Sequence, residues 1–250
     1  STTPDAPVSL ALDPASDTGT ADDDLTGDTT PTINGTAEAG SKVELFDGVS
    51  PLGDTTADGS GNWTIVPTVL AEGVHTLEAQ STDTAGNASV VSTALSITID
   101  TTAPDAPAAP DLDAASDSGD LDTDDITLFT TPTINGTAEP GSTVELLEGI
   151  LSLGTSLADG SGNWTIVSPP LSEGVHSLVV RQTDAAGNGP GPNSDSLVLT
   201  IDITAPDAPA APDLDTASDS GTAVDDDLTN DATPTINGTA EAGSTVELLD

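Results

Sequence analysis

Carboxylates are the chemically potent side chains that this sequence concentrates. One cluster runs through Asp13, Ser16, Asp17, Gly19, Asp23, Asp24 and Thr26, returns at Asp113, Ser116, Asp117, Asp124, Asp125 and Thr127, and returns again at Asp215, Ser218, Asp219, Asp226, Asp227 and Thr229. Crowding several carboxylates into one turn-rich loop costs repulsion. Ca²⁺ relieves it, because this hard cation takes about six to eight oxygen ligands from carboxylates, carbonyls and water, whereas Mg²⁺ prefers a stricter octahedron. The plainer alternative is a solvated acidic loop without an ordered ion. The ligand candidates are Asp17, Asp23 and Asp24, then Asp117, Asp124 and Asp125, then Asp219, Asp226 and Asp227. Asp28 and Asp231 align with Phe129, so that column is left out.

A second cluster lies toward the repeat boundaries. Asp83 and Asn87 bracket a TDTAGN turn, Asp100 follows a strand-like run, and Asp105 sits in a Pro-Asp-Ala-Pro linker; the copy is Asp184, Asn188, Asp202 and Asp207. In a sandwich the loop between the last two strands sits at one end. The expectation is therefore that each turn approaches the start of the following unit, where linker oxygens close a cation site. A Gly-Asn turn beside a stiff proline linker, with no metal, is the alternative. The stretch around Asp124 lacks the glycine and glutamate of an EF-hand loop.

Other chemistry finds no footing. There is no nucleophile elbow, phosphate loop, zinc-protease helix or pair of carboxylates in opposed environments, so the chain reads as non-enzymatic. His75 and His176 recur in a Gly-Val-His triplet, each without a second His or Cys for zinc, and are expected to face water. Trp63 and Trp164 each share a strand face with an isoleucine two residues on, which suits a core position better than a sugar-stacking platform. Asn34-Gly35-Thr36 matches a glycosylation sequon but reads more simply as a turn or bulge signal.

Composition narrows the partners. Asp and Glu total 43 against two basic residues, a formal charge of −41. Lys42 and Arg181 make no basic patch, which excludes nucleic acid and argues against anionic membrane surfaces. There is no Cys or Met, so disulfides, thiolate sites and redox chemistry have no ligands. No apolar run is long enough to span a membrane, and no leader-like segment opens the chain; it is expected to start and stop inside a longer protein.

These clusters are carried by a repeat. PTINGTAE begins at Pro31, Pro132 and Pro234, a period of about 100 residues. Alternating apolar runs predict strands near 8–12, 31–37, 42–47, 52–57, 62–67, 73–83 and 93–100, bounded by Gly, Asn, Asp and Pro, with essentially no helix. About seven short strands per unit predict an all-β chain of tandem Ig-like sandwiches: repeat 1 at 1–101, repeat 2 at 102–203 and a truncated repeat 3 at 204–250. That last copy carries only the first three expected strands and so exposes its inner faces.

The segments TDTAGN at 82–87, GSGNWT at 59–64, PTINGTAEAGSKVEL at 31–45 and TTAPDAP at 101–107 resemble the bacterial Ig-like repeats of giant secreted surface adhesins, of the type I-exported RTX and biofilm kind. The resemblance covers the whole chain. It implies an extended, monomeric rod whose partners are neighbouring repeats, outer-membrane anchoring of the parent protein at the bacterial surface, and Ca²⁺ at Asp83, Asp100, Asp105, Asp184, Asp202 and Asp207. The function it implies is a calcium-stiffened extender that projects a distal binding domain. The alternative is that the repeats themselves bind a host or neighbour-cell glycan or protein. A dedicated binder is expected to vary its end loops between copies, whereas most turns of repeats 1 and 2 are nearly unchanged, which favours the spacer; the stretches that do differ, 46–57 against 147–158 and 88–94 against 189–195, are where an adhesive role would lie.

Overall fold

A computed structural model describes residues 3–119, 121, 123–220, 222–223 and 226–249. Every regular element among them is a strand. The chain divides into two compact units, Ser1–Asp202 and Ile203–Asp250.

The first unit holds two sandwiches. One is built of β1 (Val8–Leu12), β2 (Leu25–Thr26), β3 (Ile33–Thr36), β4 (Lys42–Asp47), β5 (Ser50–Thr56), β6 (Asn62–Ile65), β7 (Gly73–Thr82) and β8 (Leu95–Ile99). The other repeats the series as β9 (Asp111–Leu112), β10 (Ile126–Thr127), β11 (Thr133–Thr137), β12 (Thr143–Glu148), β13 (Leu151–Leu157), β14 (Asn163–Val167), β15 (Gly174–Thr183) and β16 (Leu197–Ile201). Each packs a three-stranded sheet, β1-β3-β6 or β9-β11-β14, on a five-stranded one, β2-β8-β7-β4-β5 or β10-β16-β15-β12-β13. The fold is thus an all-β series of Ig-like sandwiches, the class that the alternation predicts. The seven expected strands of repeat 1 are present; β2 is an addition. Only two residues long, it runs parallel to the end of β8, pairing Leu25 with Thr98 and Thr26 with Ile99.

Alternation puts every second side chain inward. Ile33, Val43, Leu45, Trp63, Ile65, Leu77, Ile97 and Ile99 fill the first core, and Ile134, Val144, Leu146, Trp164, Ile166, Leu178, Leu199 and Ile201 fill the second. Burial of each such aliphatic or aromatic side chain contributes about 1.5–3 kcal/mol, the main stabilising term in a chain without disulfides. Both tryptophans are core residues, 3% exposed.

The Asn-Gly pair does not make a turn or bulge, as the triplet alone suggests. It lies within β3, where Gly35 pairs with Trp63 across the ladder, and a Cβ on Gly35 would stand 2.4 Å from the indole Cζ2. Gly136 meets Trp164 in the same way, at 2.7 Å. Glycine is present because the ring lies over the backbone.

The histidines do not face water either. His75, at the start of β7, sets its ring between the Asp47 carboxylate and the Ala71 carbonyl, and His176 sits between Glu148 and the Ser172 carbonyl. The neighbouring hairpin supplies a carboxylate 28 residues earlier in the chain in both repeats, a partner that no local pattern reveals.

The second unit forms β17 (Asp213–Leu214) and β18 (Ile236–Asn237), paired antiparallel. The expected strand near 244–249 does not form; Val246, Leu248 and Leu249 are exposed. Its counterpart β4 is held between β5 and β7, and no such neighbours flank 244–249 within this chain.

Replacing Gly35 with alanine drives a methyl into the indole and is expected to destabilise the first sandwich by about 1–3 kcal/mol, as overpacking does. Gly59→Ala, at a site with nothing within 4 Å, serves as the control. Chemical unfolding followed by tryptophan fluorescence reads both.

Candidate functional site

The acidic loop between β1 and β3 is ordered by its own carboxylates and hydroxyls. Asp13 accepts the backbone N–H of Ala15 at 2.9 Å and the Asn34 side-chain amide at 2.6 Å, and these bonds hold its carboxyl below the usual range. The bracket recurs as Asp113 with Asn135 at 3.0 Å and Asp215 with Asn237 at 2.7 Å. Asn237 and the Ala217 N–H hold the Asp215 carboxyl low in turn. Ser16 Oγ accepts the Thr32 N–H at 3.0 Å, and Thr26 donates its hydroxyl to the Ser16 carbonyl. The Asp13–Asn34 bracket was not among the sequence candidates. Its signal was there, in the Asp and Asn that return together in all three copies.

Among the candidate ligands, Asp17 accepts the Asp22 N–H through Oδ2 at 2.6 Å, while its Oδ1 is buried with no hydrogen-bond partner; Asp117 Oδ1 is orphaned in the same position of the second repeat. Asp23 and Asp226 accept the N–H two residues on, at Leu25 and Leu228. Asp124 contacts the N–H groups of Leu121 and Ile126. Asp24, Asp125 and Asp227 all adopt positive φ, 58°, 56° and 56°. Burial pushes the Asp125 carboxyl up, and the charges of Asp111, Asp117 and Asp124 push it further. Asp219 donates its N–H to the Asp215 carbonyl at 3.0 Å. Carboxylates are thus gathered in each loop, yet among the described residues no three ligating groups form a metal-binding cluster.

The boundary residues are arranged differently from expectation. Asp83 takes the N–H groups of Ala85 and Asn87, both at 2.8 Å, and the Asn87 amide at 2.7 Å, closing the turn on itself. This turn does not approach the following unit. Gly73 pairs with Ile99, so Asp100 lies beside the start of β7, whereas the turn leaves its far end, roughly 30 Å away at about 3.4 Å per residue. There Ser81 donates its hydroxyl to the Asp5 carbonyl at 3.0 Å, at the entry of the chain. The turn that meets Asp100 belongs to the next repeat: Asn188 donates its side-chain amide to the Asp100 carbonyl at 2.8 Å and to Asp184 Oδ2 at 2.9 Å. The turn of the second repeat therefore faces backward, toward the first sandwich.

That contact joins the two clusters. Thr18 in the first acidic loop donates its hydroxyl to the Ala186 carbonyl, and the Thr20 N–H reaches the Ala185 carbonyl at 2.9 Å. Gly19, at φ 80°, has no room for a side chain, since a Cβ would stand 2.0 Å from the Ala185 carbonyl oxygen. Gly27 lies against Asn188 Oδ1 in the same way, at 2.8 Å. Nearby, the Gln182 amide donates to the Asp105 carbonyl at 2.8 Å. Of the sequence candidates, the structure brings the loop bearing Asp17, Asp23 and Asp24 together with Asp100, Asp184 and Asn188. Asp83 and Asn87 stand apart from that set. Asp202 donates its N–H to the Thr127 carbonyl at 2.9 Å, and Asp207 donates its own to Glu241 at 3.1 Å.

Gly19→Ala is expected to separate the joint from the sandwiches. Hydrogen exchange at the Thr20 amide should rise to that of an open loop while core amides keep their protection; unaltered protection of Thr20 would show that the contact does not persist in solution.

Among solved structures the chain is similar to the fibronectin(III)-like modules of Clostridium thermocellum CbhA, 15% identical over 77% of this chain and 94% of that chain, with a TM-score of 0.41. It is also similar to a 1.5-MDa bacterial ice-binding adhesin, 20% identical over 82% and 67% at a TM-score of 0.38, and to the BSP domain of a biofilm-associated protein, 18% identical over 72% and 29% at 0.28. Likenesses of this strength carry no inference about activity. No curated protein matches the chain. The profile of the bacterial Ig-like domain matches residues 3–101, 103–203 and 204–250, nearly the whole sequence, and the chain belongs to that family.

Proposed function

We propose that this chain is a non-enzymatic spacer segment of a secreted bacterial surface adhesin, in which Ca²⁺ stiffens the succession of repeats that carries a distal binding domain. The observation that supports it best is that one loop does two things. Residues 18–20 hold the turn of the next repeat, and Asp17, Asp23 and Asp24 crowd negative charge into the same loop. A cation taken up there would act on the joint.

Two buried carboxylate oxygens support such an ion. Asp17 Oδ1 and Asp117 Oδ1 are buried acceptors without donors, and an unpaired buried acceptor is costly. The raised Asp125 carboxyl records the same excess of negative charge. Asp17, Asp23 and Asp24 with Asp100, Asp105, Asp184 and Asn188 would hold it at the first boundary. Asp117, Asp124 and Asp125 with Asp202 would serve in the second repeat, Asp219, Asp226 and Asp227 with Asp207 in the third, and Asp83 with Asn87 in a joint to a preceding repeat. When bound, Ca²⁺ supplies positive charge and a demand for several oxygen ligands. The protein's own groups set the geometry: the Asp13–Asn34 bracket and Thr26 order the loop, and Asn188 ties the next turn to Asp100. Binding that favours the aligned state of a joint shifts its population toward that state. The partners in this reading are neighbouring repeats in a monomeric chain, at the surface of a cell whose outer membrane anchors the parent protein. Among the described residues no helix is long and apolar enough to cross a membrane.

A second reading, direct adhesion by the repeats, rests on the hairpin tips between β4 and β5 and between β12 and β13. Val49 and Ile150 are fully displayed there, at 95% and 102% exposure.

Small-angle scattering of the 250-residue chain in chelator and in millimolar calcium, at matched ionic strength, distinguishes the two. The spacer reading expects a longer, stiffer particle with calcium, and loss of that response in an Asp17→Asn, Asp117→Asn variant. An unchanged profile would retire calcium stiffening and leave solvated acidic loops.

A further inference from the structure

We propose that His75 and His176 are proton-dependent clamps, one in each complete sandwich, which fasten the crossover between the two sheets to the five-stranded sheet and release it when the ring loses a proton.

The geometry carries this. His75 Nδ1 lies 2.7 Å from Asp47 Oδ2 and Nε2 lies 2.8 Å from the Ala71 carbonyl oxygen. His176 Nδ1 lies 2.8 Å from Glu148 Oε1 and Nε2 lies 2.9 Å from the Ser172 carbonyl oxygen. An ionised carboxylate and a backbone carbonyl only accept hydrogen bonds, and a neutral imidazole has one N–H and one lone pair. Either neutral tautomer would set a lone pair against an acceptor. Only the imidazolium, a donor at both nitrogens, satisfies both contacts. The second repeat exchanges Asp for Glu and keeps the arrangement, which marks the ring's two-sided capture as the feature held in common.

The surroundings are otherwise uncharged on the sheet side. On β4 the facing group is Asp47, whose other oxygen takes the Thr76 N–H at 3.3 Å; on β8 the cross-strand partner is Ile97; on the crossover the charged residue is Glu72, beside Ala71. Around His176 the corresponding residues are Glu148, Leu199 and Glu173. The side chains of His75 and His176 are 12% and 8% exposed, so solvent competes little for them. Burial opposes the charge on both rings. For His75 the Asp47 and Ala71 contacts outweigh it, and for His176 the Ser172 and Glu148 contacts do, holding each above the ordinary histidine value.

The clamp reaches the linker in the first repeat. Glu72, next to the captured carbonyl, accepts the Thr101 and Thr102 hydroxyls, each at 2.7 Å. Loss of the His75 proton loosens Ala71 and with it the brace on the residues that lead to the next sandwich. Because the folded midpoint lies above the unfolded one, the stabilisation is fully present below the ordinary histidine value and disappears as pH rises through the folded midpoint.

The test is an NMR titration of the whole chain, whose two histidines are its only ones. Both rings should titrate above the ordinary histidine value with both nitrogens protonated on the acid side. The Thr101 and Thr102 signals should move with the His75 midpoint, and Asp47→Asn should lower that midpoint while leaving His176 unchanged. In thermal unfolding, the loss of Tm as pH rises from below the ordinary histidine value through the folded midpoint should shrink in a His75→Gln, His176→Gln variant. Wild-type rings that titrate at or below the ordinary value overturn the clamp, as does an Asp47→Asn chain with an unshifted His75. Threonine signals that ignore the His75 midpoint overturn its coupling to the linker.

Discussion

With 43 carboxylates and two basic side chains, nearly every acidic group must do without a lysine or arginine partner. The backbone N–H is the donor that the fold supplies. Asp58 takes the N–H groups of Ser60 and Asn62 at 2.8 and 2.9 Å, and Asp159 takes those of Ser161 and Asn163 at the same distances; both carboxyls are held low by these bonds. Asp13, Asp83 and Asp184 close their turns by the same means. Aspartate thus acts mainly as a turn former, a use its short side chain favours. The two basic residues serve the five-stranded sheets: Arg181 meets Glu145 at 2.8 Å, while Lys42 lies 3.6 Å from Asp54 in an exposed pair of little worth.

The cores make this possible. Two sheets closed over an indole that lies on a glycine hold their loops at the ends, where like charges meet water. The aliphatic residues of the first core return in the second with few changes, Ala79 to Val180 and Ile97 to Leu199 among them. Variation is concentrated in the hairpins and loops, where packing demands less. A spacer and a set of adhesive modules would share this core, so the difference between them lies in the loops.

Two devices act on the ends of the sandwiches. The backward-facing turn of one repeat rests on the acidic loop of the one before, through backbone groups and with glycine at the points of contact. The histidine clamp holds the crossover beside the exit of the chain. Both place ionic chemistry, carboxylates in one case and imidazolium in the other, where the chain passes between repeats. In neither case does the charge sit within the core, where an unpaired ion would be most costly.

Strand positions, the buried tryptophans, the repeat and the acidic loops were legible in the sequence, because alternation and turn residues are local and a repeat displays them more than once. β2 was not, since two residues in an acidic loop become a strand only when the end of β8 lies beside them. Nor was the role of Gly35, which depends on Trp63 across a ladder. Nor was the direction of the TDxAGN turns, because strand polarity at the sandwich ends follows from the pairing of Gly73 with Ile99 and not from order along the chain. The capture of the histidines is hidden from local sequence for the same reason: their carboxylate partners stand 28 residues away and arrive by sheet register. Local periodicity determined which residues point inward, and only the tertiary pairing decided which polar groups meet at the ends, because those meetings join segments with no neighbouring sequence in common.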